Sequence, residues 1–200
     1  MSLVTLNNRA LKDATAVGTT TGLGNLVFIS RTTASSSSSL SITSGIDSTY
    51  KEYIFIFNNI HPATDSAVLK FQVSTNSGSS YGVNTTSTLF KTRHAEDGSL
   101  GDVGRDGDDL NDSTSDIFLT LSIGSDNDQG NSGYLHLFEP SGTTFVKHYT
   151  ARMSTIEHRD RALDVFCQGF FNTTSAIDAI IFRMSSGNID SGTIDLYGVK

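Results

Sequence analysis

Five histidines, one cysteine and several acidic turns are the residues of this chain whose types could carry chemistry. The histidines are His61, His94, His136, His148 and His158. His136 and His148 flank a Glu139-Pro140-Ser141-Gly142 turn, so the two arms of one hairpin could bring them face to face. A zinc site needs further ligands at fixed spacing, and none accompanies this pair. Two surface histidines on polar strand faces account for the same letters. Asp106, Asp108, Asp109 and Asp112 form one oxygen-rich cluster, and Asp126-Asn127-Asp128-Gln129-Gly130-Asn131 a second. Calcium takes roughly six to eight oxygen ligands. The calcium loop of helix–loop–helix proteins closes on a glutamate at its twelfth position, whereas the twelfth residue counted from Asp126 is Leu137. Solvated acidic turns are the expectation, with no metal and no cofactor.

Nucleophilic catalysis finds no support. Cys167 lies on an alternating stretch with Val165, Phe166 and Phe170, where a buried cysteine behaves as a small hydrophobe. There is no Gly-x-Ser-x-Gly elbow and no glycine-rich phosphate loop with its lysine. Glycoside hydrolysis needs two carboxylates at a set spatial separation. With 21 acidic residues, finding two in the sequence decides nothing. The charged run Glu157-His158-Arg159-Asp160-Arg161 reads as a solvated connection. The expectation is a protein that is not an enzyme.

The elements that would position these residues are strands. The 28 serines, 24 threonines, 18 glycines and 12 asparagines suit short strands joined by polar turns. Twelve phenylalanines and six tyrosines supply bulky residues for a pleated, half-buried surface. Residues 26–29, 40–43, 53–57, 68–73, 117–123, 134–138, 145–149, 163–171, 177–184 and 193–199 alternate or are continuously apolar. Tyr53, Phe55 and Phe57 point one way and Ile54 and Ile56 the other, so that strand is apolar on both faces and needs a cover on each. In 68–73, Leu69, Phe71 and Val73 point in and Lys70 and Gln72 out. Strand centres about 8–12 residues apart are the pattern of a sandwich or barrel. The expected fold is an all-β antiparallel β-sandwich of jelly-roll type over residues 25–200, closed by the last strand, with an N-terminal arm over 1–24.

Two segments stand outside that pattern. Residues 1–24 are too short to build a core, yet Leu3, Val4, Leu6 and Leu11, with Arg9, offer anchors that a solvated tail does not need. They read either as a frayed end or as an arm docked on another subunit. Residues 91–115 are polar and charged, and a 25-residue structureless stretch in a compact domain is uncommon. They read as a long exposed contact loop carrying Arg93, His94, Arg105, Asp108 and Asp109. The serine run 35–39 reads as an extended edge segment or a turn.

The charge balance excludes some partners. Fourteen basic against 21 acidic residues leave a net charge of −7, opposite to the basic footprint of a nucleic-acid or anionic-membrane binder. No apolar run approaches the ~20 residues of a membrane-spanning helix. Met1 to Ala10 lack the basic-then-apolar profile of a secretory signal. A single cysteine excludes an intrachain disulfide.

Several phrases resemble small β-rich virion proteins of tailed bacteriophages, especially marine phages of cyanobacteria and related hosts. They include Met1-Ser2-Leu3-Val4-Thr5-Leu6-Asn7-Asn8-Arg9, and Leu26-Val27-Phe28-Ile29 followed by the serine run. The most distinctive is the block from Thr49 to Pro62, centred on Tyr53-Ile54-Phe55-Ile56-Phe57. Phe145-Val146-Lys147-His148, Gly169-Phe170-Phe171-Asn172-Thr173 and the stretch from Ser185 to Gly198 are similar in kind. The resemblance implies a structural part of the virion, such as a capsid decoration protein or a head or tail fibre component, and brings no active site with it. Its expected partners are other virion proteins and further copies of itself. A trimer is preferred because capsids and fibres offer three-fold sites. A host-surface glycan-binding module using residues 91–115 with Tyr81 is the alternative, and a glycan-degrading enzyme a third reading.

Overall fold

The computed structural model describes residues 16–17, 20–21, 25–105 and 107–200, so Leu3, Val4, Leu6, Arg9 and Leu11 lie outside the described residues. Among the described residues there is no helix. The strands are β1 (Ala16–Val17), β2 (Thr20–Thr21), β3 (Leu26–Thr33), β4 (Leu40–Ile42), β5 (Glu52–Pro62), β6 (Leu69–Ser74) and β7 (Thr85–Ala95). They continue with β8 (Gly101–Arg105), β9 (Ile117–Phe118), β10 (Gly130–Phe138), β11 (Lys147–Glu157), β12 (Arg161–Phe171), β13 (Ala179–Met184) and β14 (Ile189–Val199). β1 and β2 pair with each other. The others form an eight-stranded sheet, ordered β3-β14-β5-β10-β11-β12-β7-β8, and a four-stranded sheet, ordered β4-β13-β6-β9. Every pairing is antiparallel.

The two sheets bury one core between them. β11 reads as strict alternation, with Tyr149, Ala151 and Met153 buried and His148, Arg152 and Ser154 exposed, which is what one packed face dictates. β6 and β13 of the small sheet are buried on nearly every residue. Phe71 of β6 stands edge-on to Tyr149 of β11 at 5.3 Å between ring centres, and Phe182 of β13 edge-on to Phe57 of β5 at 5.2 Å. Such T-shaped pairs set the attractive edge of one ring on the face of the other. The chain alternates between layers: β3, β5 and β7 lie in the large sheet, β4 and β6 between them in the small one. β12, β13 and β14 repeat the alternation, and β14 inserts between β3 and β5.

The hairpin across Glu139-Pro140-Ser141-Gly142 is present as β10 and β11. Its second arm starts at Lys147, later than expected, and Phe145 lies in the exposed connection. The serine run follows the start of β14, with Ser36 and Ser37 donating backbone N–H groups to the carbonyls of Asp190 and Ile189.

Three expectations are corrected. Gln72 does not point into solvent, because its Nε2 donates to the carbonyls of Val83, Thr114 and Ser115, which cover the far side of the small sheet. The 117–123 strand is only two residues long before Thr120 intervenes, and the Thr120 hydroxyl accepts the Leu69 N–H at 2.8 Å in place of a ladder bond. Residues 91–115 are not a structureless loop. β7 runs through the first of them, β8 folds back on it from His94↔Gly101 to Phe90↔Arg105, and residues 110–113 then bond to Thr85 and Ser87. Polar strand residues hid this hairpin, since the edge of a sheet needs no apolar face.

Candidate functional site: the outward face of the large sheet

The register of the large sheet arranges its outward side chains in rows that cross the strands. One row passes from Arg31 through Asp195, Ile56, Tyr134, Arg152 and Phe166 to Phe90. The next passes from Phe28 through Tyr197, Ile54, His136, Thr150 and Gln168 to Thr88. A third includes Glu52 opposite Phe138 and, on the far strands, His148, Phe170 and Thr86. Alternation alone would put polar residues at these positions. Aromatic side chains hold many of them instead.

The face has two halves of different chemistry. On β3, β14 and β5 it is apolar: Leu26 and Phe28 are each 53% exposed, beside Tyr197, Ile54, Ile56 and Val199. Phe28 and Tyr197 meet edge-on at 5.6 Å. Its polar residues include an ion pair in which Arg31 grips Asp195 with two bonds of 2.7 Å. Asp195 is almost fully covered, and the Arg31 guanidinium holds its carboxyl below the usual aspartate range. β3 is also a terminal strand of the sheet, so its second edge carries no ladder among the described residues.

On β10, β11, β12 and β7 the face is mixed. Short polar residues, Thr150, Gln168 and Thr88, lie between two aromatic rows. Phe90 stacks on Phe166 at 5.1 Å along one flank. His148 and Phe170 are 6.2 Å apart along the other, in line with Phe138. The charges here are paired. Arg152 forms two bonds with Asp164, at 2.9 and 2.7 Å, and His136 Nδ1 meets the Glu52 carboxylate.

The sites read from sequence separate in three dimensions. His136 and His148 both point outward but do not meet: His136 is opposite Thr150 and Ile54, and His148 is opposite Phe170. His61 Nε2 lies 3.1 Å from the Asp126 carbonyl, away from both. Among the described residues no three His, Cys, Asp or Glu side chains converge in a way that could hold a metal. Arg93 and His94 sit on β7 and point to opposite sides. Arg93 makes two 2.8 Å bonds to Asp102 on β8, near the buried Glu157, whereas His94 is exposed on the outward side. Arg105 ends β8. Asp109 accepts the Leu89 N–H at 2.7 Å, so its carboxylate pins residues 107–110 to β7, and Asp108 is exposed beside it. Glu157 is buried, with Arg161 at 3.4 Å, so the charged run 157–161 is not wholly solvated. Tyr81 packs against Gly78 with its hydroxyl buried and does not stand out as a contact residue. Cys167 is buried, and burial pushes its thiol up to about 12, which leaves no thiolate at neutral pH.

The aromatic residues on the outward face were the feature missed. Their signal was present in the sequence: Phe166, Phe170, Tyr134 and Phe138 each occupy the outward phase of a strand whose inward phase is already apolar.

Compared with protein-family models, with curated proteins and with solved structures, the chain matches none.

Proposed function

We propose that this chain is a non-enzymatic structural subunit of a tailed-bacteriophage particle. In this reading it is a jelly-roll-type sandwich joined to further copies through the β3 side of its large sheet. The observation that carries the assembly part is the exposed apolar edge. Leu26 and Phe28 stand more than half exposed on an eight-residue terminal strand, with Tyr197, Ile54 and Ile56 continuing the patch inward. Monomeric proteins shield or charge such edges, because an unpaired apolar strand is a template for association. Alternation of the chain between the two layers supports the jelly-roll description. The phage part rests on the resemblance of the 49–62 block and its companion phrases.

The same reading assigns residues 1–24, with Leu3, Val4, Leu6, Arg9 and Leu11 as anchors, the role of a docking arm onto a neighbouring subunit. A closed trimer satisfies both the edge and the three-fold sites of a capsid or fibre. Sedimentation of the full chain tests the assembly, and mass spectrometry of purified particles tests the location. A trimer whose peptides occur in the particle is expected. A monomer absent from the particle would contradict the reading.

A further inference from the structure

Two hollows on the mixed half of the outward face meet at His148. The first, about 350 Å³, has Thr88, Thr150 and Gln168 along its floor and Phe170 at its side. The second, about 580 Å³, continues from Phe138 and His148 to Phe145 and Thr174. Neither belongs to the β3 edge. Phe145 is 74% exposed, the second most exposed large apolar side chain among the described residues, and the core gives no reason for a phenyl ring there.

The composition of this groove selects its occupant. The exposed ring of Phe145 and the half-buried ring of Phe170 offer flat apolar faces, and neighbouring threonine hydroxyls and the Gln168 amide each both donate and accept. A ligand that meets both must carry apolar C–H faces and hydroxyl groups on the same small ring. Sugars do. A purely apolar protein surface would leave the floor hydroxyls and amide unpaired, which costs free energy. The charged groups nearby, Glu52 beside His136, Glu139 beside Lys51 and Arg152 beside Asp164, already have partners, and the chain carries −7 overall. A polyanion therefore finds no complementary field. The floor crosses three strands at ~4.8 Å spacing, room for a short run of sugar rings laid across the sheet.

We propose that this groove binds a neutral oligosaccharide, with Phe145 and Phe170 stacking on sugar faces and Gln168, Thr88 and Thr150 bonding their hydroxyls. The site is separate from residues 91–115 and does not depend on the chain being a virion subunit. The test uses the full chain on immobilised neutral hexose, deoxyhexose and N-acetylhexosamine oligosaccharides, with sulfated and uronate glycans alongside. Retention on at least one neutral glycan is expected. It should fall at least tenfold in both Phe145→Ala and Gln168→Ala, two exposed positions whose loss leaves the melting temperature unchanged. Retention on no neutral glycan, retention on the anionic set alone, or retention undiminished by both substitutions would overturn the proposal. So would a Phe145→Ala variant that changes oligomer size and leaves retention intact.

Discussion

The ring of Phe28 stands edge-on to that of Tyr197, 5.6 Å between centres, on the outward face of the large sheet at its terminal strand. The pair does not seal the interior, since Phe28 is more than half exposed. If this patch joins subunits, Phe28→Glu puts a charge where apolar surface is meant to be covered. The variant should sediment as a monomer. Its unfolding free energy per chain, measured on the monomer, should change by no more than about 0.5 kcal/mol, as for surface positions generally.

Asp195 gives the same region a pH dependence. Its folded-state pKa is depressed by Arg31, so the stabilisation it contributes is fully present above the unfolded aspartate value of about 3.9 and is lost as pH falls through the lower folded value. Urea titrations between neutral and strongly acidic pH should show wild type losing more stability than Asp195→Asn over that acid range. Parallel curves would contradict the pairing.

Gly169 lies where Tyr149 crosses from β11. A Cβ built there would come 2.3 Å from the Thr86 carbonyl oxygen and 2.6 Å from the Tyr149 hydroxyl. Gly169→Ala should therefore destabilise by roughly 1–3 kcal/mol, since backbone cannot yield as a side chain can. A melting temperature lowered by several degrees is the readout.

Phe71 links the layers through Tyr149 and Phe171, lies against Phe182 of its own sheet, and is fully buried. Truncation to alanine should cost about 3–5 kcal/mol in urea unfolding.

Cys167 should ignore a disulfide-exchange reagent in the native protein and react once per chain after denaturation. Its thiol is covered, and its pKa, raised to about 12 by burial, keeps it protonated. Rapid native reaction would contradict the packing of β12.

Much of the fold was legible because one packed face forces alternation. The core positions Leu69, Phe71 and Val73, and the β10–β11 hairpin, follow from period and turn chemistry alone. β7 and β8 were not legible. Arg93 and Asp102 satisfy each other across the pair, so these strands hold together through backbone and charge where a hydrophobic pattern would have announced them. Gln72 misled for a related reason: its amide is spent on three carbonyls of a covering segment, a tertiary arrangement that local sequence does not encode. The outward aromatics were visible residue by residue. Which of them share a row depends on strand order, and β14 lying between β3 and β5 is set by contacts far apart in sequence, such as Asn58 with Thr193 and Arg31 with Asp195.

The proposed role as a virion subunit is tested by cryo-electron microscopy of intact phage particles purified from the source of this sequence. The account predicts copies at regular positions, with Leu26, Phe28 and Tyr197 at the boundary between neighbouring subunits and residues 1–24 extending into an adjacent one. Density in which the β3 edge faces solvent, or particles that lack the chain altogether, would contradict it.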